Sequence, residues 1–217
     1  MNGMLFDIKV CIWDFDGTLF KPIPAFNDAI IEADYKVVMG HTGWSREKTI
    51  EEFNKIYKVI TPSSTETASR LANISLRDAA IECEQYKDRA KYLSRDEALI
   101  SMFGRLTHVT HYILANGIRD KIIPALAVLG IPKKTFADIV TSEVVGVNKP
   151  KPDGFLYIMK KTNLLPHEHL MIGDREAVDL APAKQLGMKT CLVWSEANSP
   201  VADVTLPTVY NLPDVLG

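Results

Sequence analysis

The sequence predicts an α/β fold in which a parallel sheet flanked by helices carries an inserted all-helical domain. Short apolar runs with strand character recur along the chain, and helical stretches separate most of them. One long segment shows helical spacing with almost no strand pattern. Strands that alternate with helices are typical of a parallel sheet, because parallel strands need a crossover connection.

The predicted strands are short and end at residues suited to loops. The first, residues 8–15, is nearly all apolar, as expected for a strand buried on both faces. The others are residues 110–115, 139–141, 170–172 and 190–194. Because ligands bind at the carboxyl ends of the strands in open parallel sheets, the following loops should meet around one crevice. The core is therefore expected to be Rossmann-like.

The segment between the first two strands is too long for a simple crossover. Its spacing predicts helices over residues 25–38, 46–59, 66–86 and 94–106. The last is predicted to open with a capping box of Ser94 and Glu97. We interpret residues 21–106 as a helical cap domain, and residues 1–20 and 107–217 as the α/β core domain.

Composition is that of an ordinary globular protein. Apolar residues make up 47% and charged residues 24%, and the formal net charge is -2. This charge gives no reason to expect nucleic acid or an anionic membrane as a partner, and no apolar run approaches a membrane span. Three cysteines form no CxxC pair, which favours a reducing compartment. We expect a cytoplasmic monomer or homodimer with no nucleic-acid or membrane partner.

Two carboxylates, Asp14 and Asp16, stand two positions apart at the end of the first strand, where the pleat points both side chains to the same side. Side by side they would repel, and a hard cation such as Mg²⁺ is the usual partner that offsets this. A second acidic pair, Asp174 and Asp179, follows the fourth strand, and Lys149 adds a positive charge. An isolated acidic pair often only caps a turn, so the indication of a site rests on the whole set.

Four motifs in a fixed order carry a family resemblance. They are Asp14-Phe15-Asp16-Gly17-Thr18-Leu19, Asn116-Gly117, Lys149-Pro150-Lys151-Pro152, and Gly173-Asp174 with Asp179. The set resembles the haloacid dehalogenase superfamily, specifically its phosphatases with a helical cap inserted just after the first strand. The resemblance spans nearly the whole chain.

The resemblance implies a role for each motif. Asp14 would be the nucleophile that attacks phosphorus and forms an aspartyl-phosphate. Asp16 would be the general acid and base, and Lys149 would neutralise charge on the phosphoryl oxygens. Asp14, Asp174 and the backbone carbonyl of Asp16 would hold Mg²⁺, while Asp179 would position Lys149 or a metal-bound water. The implied substrate-binding residues are Gly17, Thr18, Ala115, Asn116, Gly117 and Lys149.

Ala115 departs from the family pattern, which places a serine or threonine there to bind a phosphoryl oxygen. Loss of one such donor can cost roughly 10²-fold or more in rate. Either a water or another residue replaces it, or turnover is slow, or the protein binds a phosphorylated ligand without efficient hydrolysis.

The resemblance implies a Mg²⁺-dependent phosphatase for a small phosphorylated metabolite, such as a sugar phosphate, phosphoglycolate or a nucleoside monophosphate. Asp16 argues against carbon–halogen cleavage, because the dehalogenases of the family lack an aspartate there. Mutases share this aspartate, so a phosphomutase stays open. A phospho-ligand binding or regulatory protein with weak turnover is the alternative from a different class.

Overall fold

The computed structural model describes residues 4–57, 59 and 63–216. Within them, parallel strands pair into a single sheet in the order β3-β2-β1-β4-β5-β6. The strands are β1 (Val10–Trp13), β2 (Thr110–Ala115), β3 (Phe136–Thr141), β4 (His169–Gly173), β5 (Lys189–Val193) and β6 (Val204–Leu206). The predicted fold class, a parallel Rossmann-like sheet with helices, is confirmed.

The sheet is covered on both faces, which explains why its strands are so apolar. In β1, Cys11 and Trp13 pack in one hydrophobic layer, whereas Val10 and Ile12 pack in the other. This alternation follows from the two-residue repeat of a strand. Because β1 lies between β2 and β4, the chain reverses its direction of travel across the sheet there, and such a switch point opens a crevice at the carboxyl ends.

Helices connect the strands, and several precede β2. They are α1 (Pro24–Thr42), α2 (Arg46–Tyr57), α3 (Ser64–Ala72), α4 (Leu76–Gln85), α5 (Glu97–Arg105), α6 (Arg119–Leu129), α7 (Ser142–Val145), α8 (Asp153–Thr162) and α9 (Ala181–Gln185). A short helical turn at Arg89–Tyr92 links α4 to α5. None of the described helices is long and apolar enough to cross a bilayer.

The predicted helix over residues 66–86 is wrong, because the chain turns in its middle. Asn73 adopts a left-handed conformation with φ of 54°, which ends α3. The Ser75 side chain then accepts a hydrogen bond from the Asp78 backbone N–H and caps α4. Helical spacing continues through both pieces, so the pattern alone did not reveal the break.

The predicted capping box of Ser94 and Glu97 is also wrong. Helix α5 begins at Glu97, and Asp96 caps it by accepting a hydrogen bond of 2.9 Å from the Leu99 backbone N–H. An aspartate is as good an N-cap as a serine, and Asp96 rather than Ser94 directly precedes the first helical residue.

The cap helices α1–α4 bury a hydrophobic cluster of their own around Tyr35, Val38 and Phe53. Helix α5 instead packs on the sheet, where Phe103 contacts Trp13 at a ring separation of 5.1 Å. The division of the chain at residues 20 and 106 remains a prediction.

Candidate active site

Asp14 occupies the first position beyond β1 and is only 3% exposed. Its backbone N–H continues the sheet by donating to the Ile172 carbonyl at 3.0 Å. Lys149 Nζ donates to Oδ1 at 2.7 Å, and Thr18 Oγ1 donates to Oδ2 at 3.2 Å. Both oxygens are therefore held in place at the carboxyl edge of the sheet.

Lys149 bridges two carboxylates. Its Nζ lies 2.7 Å from Asp14 and 2.6 Å from Asp179, and the side chain is buried. Burial alone would lower the pKa of the Lys149 ammonium, but Asp14 and Asp179 raise it above its usual value. Burial likewise opposes the ionised form of Asp14, yet Lys149 and Arg175 hold the pKa of this carboxyl below its ordinary range. These charges favour the ionised form of the Asp14 carboxyl group.

Asn116 fixes the loop that carries Lys149. Its side-chain Oδ1 accepts from the Lys149 backbone N–H at 2.8 Å, and its Nδ2 donates to the Lys149 carbonyl at 3.1 Å. The amide thus pairs with both backbone groups of one residue. Asn116 therefore positions Lys149, which donates a hydrogen bond to Asp14.

The carboxylates of Asp14, Asp174 and Asp179 contribute oxygens that lie within 4.8 Å of one another. Asp174 Oδ1 is buried and has no hydrogen-bond partner among the described residues. Burial, reinforced by the charges of Asp14 and Asp179, raises the pKa of Asp174 to about 7. A carboxylate that has a buried oxygen without a hydrogen bond, and that stands beside two other carboxylates, fits a hard divalent cation.

The two oxygens of Asp179 are already engaged, by Lys149 Nζ and by the Arg175 backbone N–H. Asp14 and Asp174 are therefore the carboxylates better placed to hold a cation, and Asp179 is better placed to position Lys149. Gly17 leaves the necessary room, since a Cβ at this residue would lie 2.5 Å from Asp174 Oδ2. Its φ of 94° also favours glycine.

Asp16 lies away from this cluster and meets the cap segment. Arg89 Nε donates to its Oδ1 at 2.9 Å and its Oδ2 at 3.1 Å, and Nη2 donates to Oδ2 at 2.6 Å. Glu84 holds the other side of the guanidinium, accepting from Nη1 and, at 3.0 Å, from Nη2. Asp14 and Asp16 thus face different surroundings although they are two residues apart.

A cavity of about 210 Å³ lies between the cap helices and the carboxyl ends of β1, β2 and β4. Its core lining includes Asp16, Asn116 and Asp174. Its cap lining includes Ser64 and Arg89. The crevice predicted from strand order therefore exists, and the cap segment closes its far side.

The remaining predicted substrate-binding residues lie at the same edge but differ in access. Thr18 is buried and donates to Asp14. Ala115 ends β2 and packs among apolar residues at 7% exposure, without a hydroxyl to offer. A Cβ added at Gly117 would lie 3.6 Å from Glu84 Oε1. Their roles in substrate binding stay predictions.

Sequence reasoning missed two arginines. Arg89 is 73 positions from Asp16, and no spacing rule connects residues so far apart. Arg175 directly follows Asp174, and its Nε lies 4.0 Å from Asp174 Oδ1. The adjacency of a basic residue to a predicted metal ligand was the one sequence feature that pointed to it.

Comparison with known proteins matches this chain to a family of hydrolases. The family model of the haloacid dehalogenase-like hydrolases matches residues 8–187. A glyceraldehyde 3-phosphate phosphatase of Methanocaldococcus jannaschii is 31% identical over 109 residues, 48% of this chain and 47% of that protein. A phosphoglycolate phosphatase of Vibrio parahaemolyticus is 23% identical over 189 residues, 83% of this chain and 81% of that protein. The first of these matches spans about half the length of the relative.

Solved structures share the fold. A HAD phosphatase from Thermococcus onnurineus superposes with a TM-score of 0.69 at 22% identity, over 97% of this chain and 98% of that one. A 2-haloacid dehalogenase from Pseudomonas syringae gives a TM-score of 0.64 at 19% identity, over 96% and 97% of the two chains. The fold is thus common to proteins named for different reactions, so the fold alone does not identify the reaction.

Proposed function

Because this chain belongs to the haloacid dehalogenase-like hydrolases, we propose that it is a Mg²⁺-dependent phosphatase that forms an aspartyl-phosphate on Asp14. One observation carries the proposal. Asp14 is buried and accepts a hydrogen bond from Lys149, and it stands beside Asp174, whose buried Oδ1 accepts no hydrogen bond from the described residues. This pairing of a carboxylate nucleophile with a cation site, next to a cavity that Asp174 lines, suits phosphoryl transfer.

In the first step an Asp14 oxygen attacks phosphorus, and the bond from phosphorus to the substrate oxygen breaks. Asp16 gives its proton to that leaving oxygen. Lys149, held between Asp14 and Asp179, offsets negative charge on the phosphoryl oxygens. Mg²⁺ held by Asp14 and Asp174 would add further positive charge at the same oxygens.

In the second step water attacks phosphorus and the bond to the Asp14 oxygen breaks. Asp16, now a carboxylate, takes a proton from this water. Asp14 and Asp16 both return to their starting states, and inorganic phosphate leaves. The protons therefore balance over one turnover.

The cavity favours a small substrate. Its volume of about 210 Å³ lies below the ~300–1,000 Å³ of sites for drug-sized ligands. Relatives named as phosphatases of glyceraldehyde 3-phosphate and of phosphoglycolate act on molecules of this size. We therefore place two- and three-carbon phosphates ahead of nucleoside monophosphates.

A second candidate function rests on Ala115. Without a hydroxyl at the end of β2, the phosphate cradle lacks one donor that the family pattern provides. A phospho-ligand binding protein with weak turnover would share the fold and the cation site. Measured turnover separates this candidate from an efficient phosphatase.

The test is phosphate release with Mg²⁺ from p-nitrophenyl phosphate, glyceraldehyde 3-phosphate and phosphoglycolate. The native chain should hydrolyse at least one of them, EDTA should abolish the activity, and added Mg²⁺ should restore it. Asp14→Asn should lose it, whereas Asp153→Asn, at an exposed aspartate, should keep it. No phosphate release from any substrate, or an active Asp14→Asn variant, would overturn the proposal.

A further inference from the structure

A chain of charged side chains runs from the interior of the cap helices to Asp16. Asp34 in α1 lies 3.8 Å from Lys87 Nζ, which lies 3.6 Å from Glu84. Glu84 in turn holds Arg89, and Arg89 holds Asp16. All of these side chains except Asp16 are buried. Burying so many charges is costly unless each is paired. Hydrogen bonds join Glu84, Arg89 and Asp16, whereas neither oxygen of Asp34 has a hydrogen-bond partner among the described residues and its pairing with Lys87 is by charge.

Arg89 is engaged on both edges of its guanidinium. One edge, Nε with Nη2, holds Asp16, and the other, Nη1 with Nη2, holds Glu84. The side chain is only 5% exposed although it lines the cavity. Few of its N–H donors are left for a substrate. Its geometry therefore suits holding Asp16 better than binding ligand.

Asp16 depends on this contact. Its side chain is 27% exposed, and Arg89 is its only side-chain hydrogen-bond partner among the residues that the structure describes. Without Arg89 the carboxylate would be free to adopt other rotamers in the cavity. A proton donor that wanders from the leaving oxygen transfers its proton poorly, since catalysis depends on positioning to within about an ångström.

We propose that Arg89 is a positioning residue that aims Asp16 at the leaving-group oxygen, and that Glu84 acts through Arg89. The inference rests on the proposed function, in which Asp16 is the acid and base. The two oxygens of Asp16 are not equivalent. Oδ2 accepts from Nη2 at 2.6 Å and from Nε at 3.1 Å, whereas Oδ1 accepts only a share of Nε at 2.9 Å.

Both oxygens of Asp16 are held from the same side by one planar guanidinium. Arg89 therefore fixes the plane of the Asp16 carboxyl group as well as its rotamer.

The experiment compares two leaving groups. p-Nitrophenolate departs without protonation, whereas an alkoxide requires it, so only the alkyl phosphate depends on Asp16 in the first step. The measured quantity is kcat/KM, because it reports the steps up to leaving-group departure. The alkyl substrate is the better of glyceraldehyde 3-phosphate and phosphoglycolate.

For Arg89→Met, kcat/KM on the alkyl phosphate should fall by about 10- to 100-fold, part of the ~10²–10⁴-fold that general acid catalysis contributes. For p-nitrophenyl phosphate it should change by less than about threefold. Glu84→Gln should likewise lose more kcat/KM on the alkyl phosphate than on p-nitrophenyl phosphate, with a smaller loss than Arg89→Met. Arg105→Met is the matched control, because Arg105 pairs at 2.8 Å with the exposed Asp214, and it should leave both substrates unaffected.

Equal losses on both substrates would overturn the inference, because they indicate a structural role. A raised KM with unchanged kcat on both would overturn it in favour of substrate binding by Arg89. If Arg89→Met does not fold, Arg89→Lys and Glu84→Gln carry the same comparison. A native protein inactive on every substrate would instead overturn the proposed function, and this inference with it.

Discussion

His111 in β2 should make the folded protein sensitive to mild acid. Its Nδ1 accepts from Trp13 Nε1 at 3.1 Å, and its Nε2 lies 3.1 Å from the Leu106 carbonyl. An indole can only donate and a carbonyl can only accept, so these partners fix the neutral tautomer. Burial lowers the pKa of His111 from 6.5 to about 4.

This lowered pKa determines how the unfolding free energy changes with pH. Between pH 6.5 and pH 4 the unfolded chain binds a proton at this histidine and the folded protein does not, so acid favours unfolding. Between pH 7 and pH 5 the loss amounts to about 2 kcal/mol of unfolding free energy. The loss levels off below about pH 4, where the folded protein also binds the proton.

Urea denaturation at pH 7 and pH 5, followed by tryptophan fluorescence, measures this difference. In His111→Gln the amide can keep both hydrogen bonds without titrating. The fall in unfolding free energy from pH 7 to pH 5 should therefore be about 2 kcal/mol smaller in this variant than in the native chain. His108→Gln, at an exposed histidine, should drop as the native chain does. Equal drops in the native chain and His111→Gln would refute the reasoning.

Three further predictions concern the site. Gly17→Ala brings a Cβ to within 2.5 Å of Asp174 Oδ2 and should lower activity by about 10²-fold, whereas Gly146→Ala, also at positive φ but with open space around it, should not; a fully active Gly17→Ala would contradict this. Lys149→Met leaves Asp14 and Asp179 buried without the ammonium group that they share. Urea denaturation in EDTA should show an unfolding free energy about 3–5 kcal/mol lower than that of the native chain. A variant as stable as the native chain would show that these ion pairs are not stabilising. Ala115→Ser adds a donor at the end of β2 and should tighten inhibition by inorganic phosphate about tenfold; unchanged inhibition and rate would mean that the missing hydroxyl is already replaced.

The sheet could be predicted from the sequence because burial on both faces forces continuous apolar runs. Every predicted strand overlaps an observed one, although residues 136–138 of β3 were missed. Asp138 interrupts the apolar run there, and its carboxylate is instead paired with Arg119 and Lys161. A tertiary ion pair of this kind leaves no local pattern.

The candidate site was partly predictable for a similar reason. Asp14, Lys149 and Asp174 follow structural elements whose order along the chain brings them to one edge of the sheet. Arg89 comes from the cap segment, whose path depends on the turn at Asn73. Helical periodicity says which face of a helix is buried but not where the chain folds back, so the contact with Asp16 could not be foreseen.

The turn at Asn73 joins α3 and α4 into a helical hairpin. Helix α3 leaves the cavity at Ser64, and the chain returns to the cavity after α4 at Lys87, so both ends of this hairpin touch the cavity while exposed Asn73 stands at its tip. The two ends of the hairpin thus line the cavity, whereas its tip does not. A substitution at exposed Asn73 therefore falls apart from the residues that line the cavity, although Asn73 lies between the segments that carry Ser64 and Arg89.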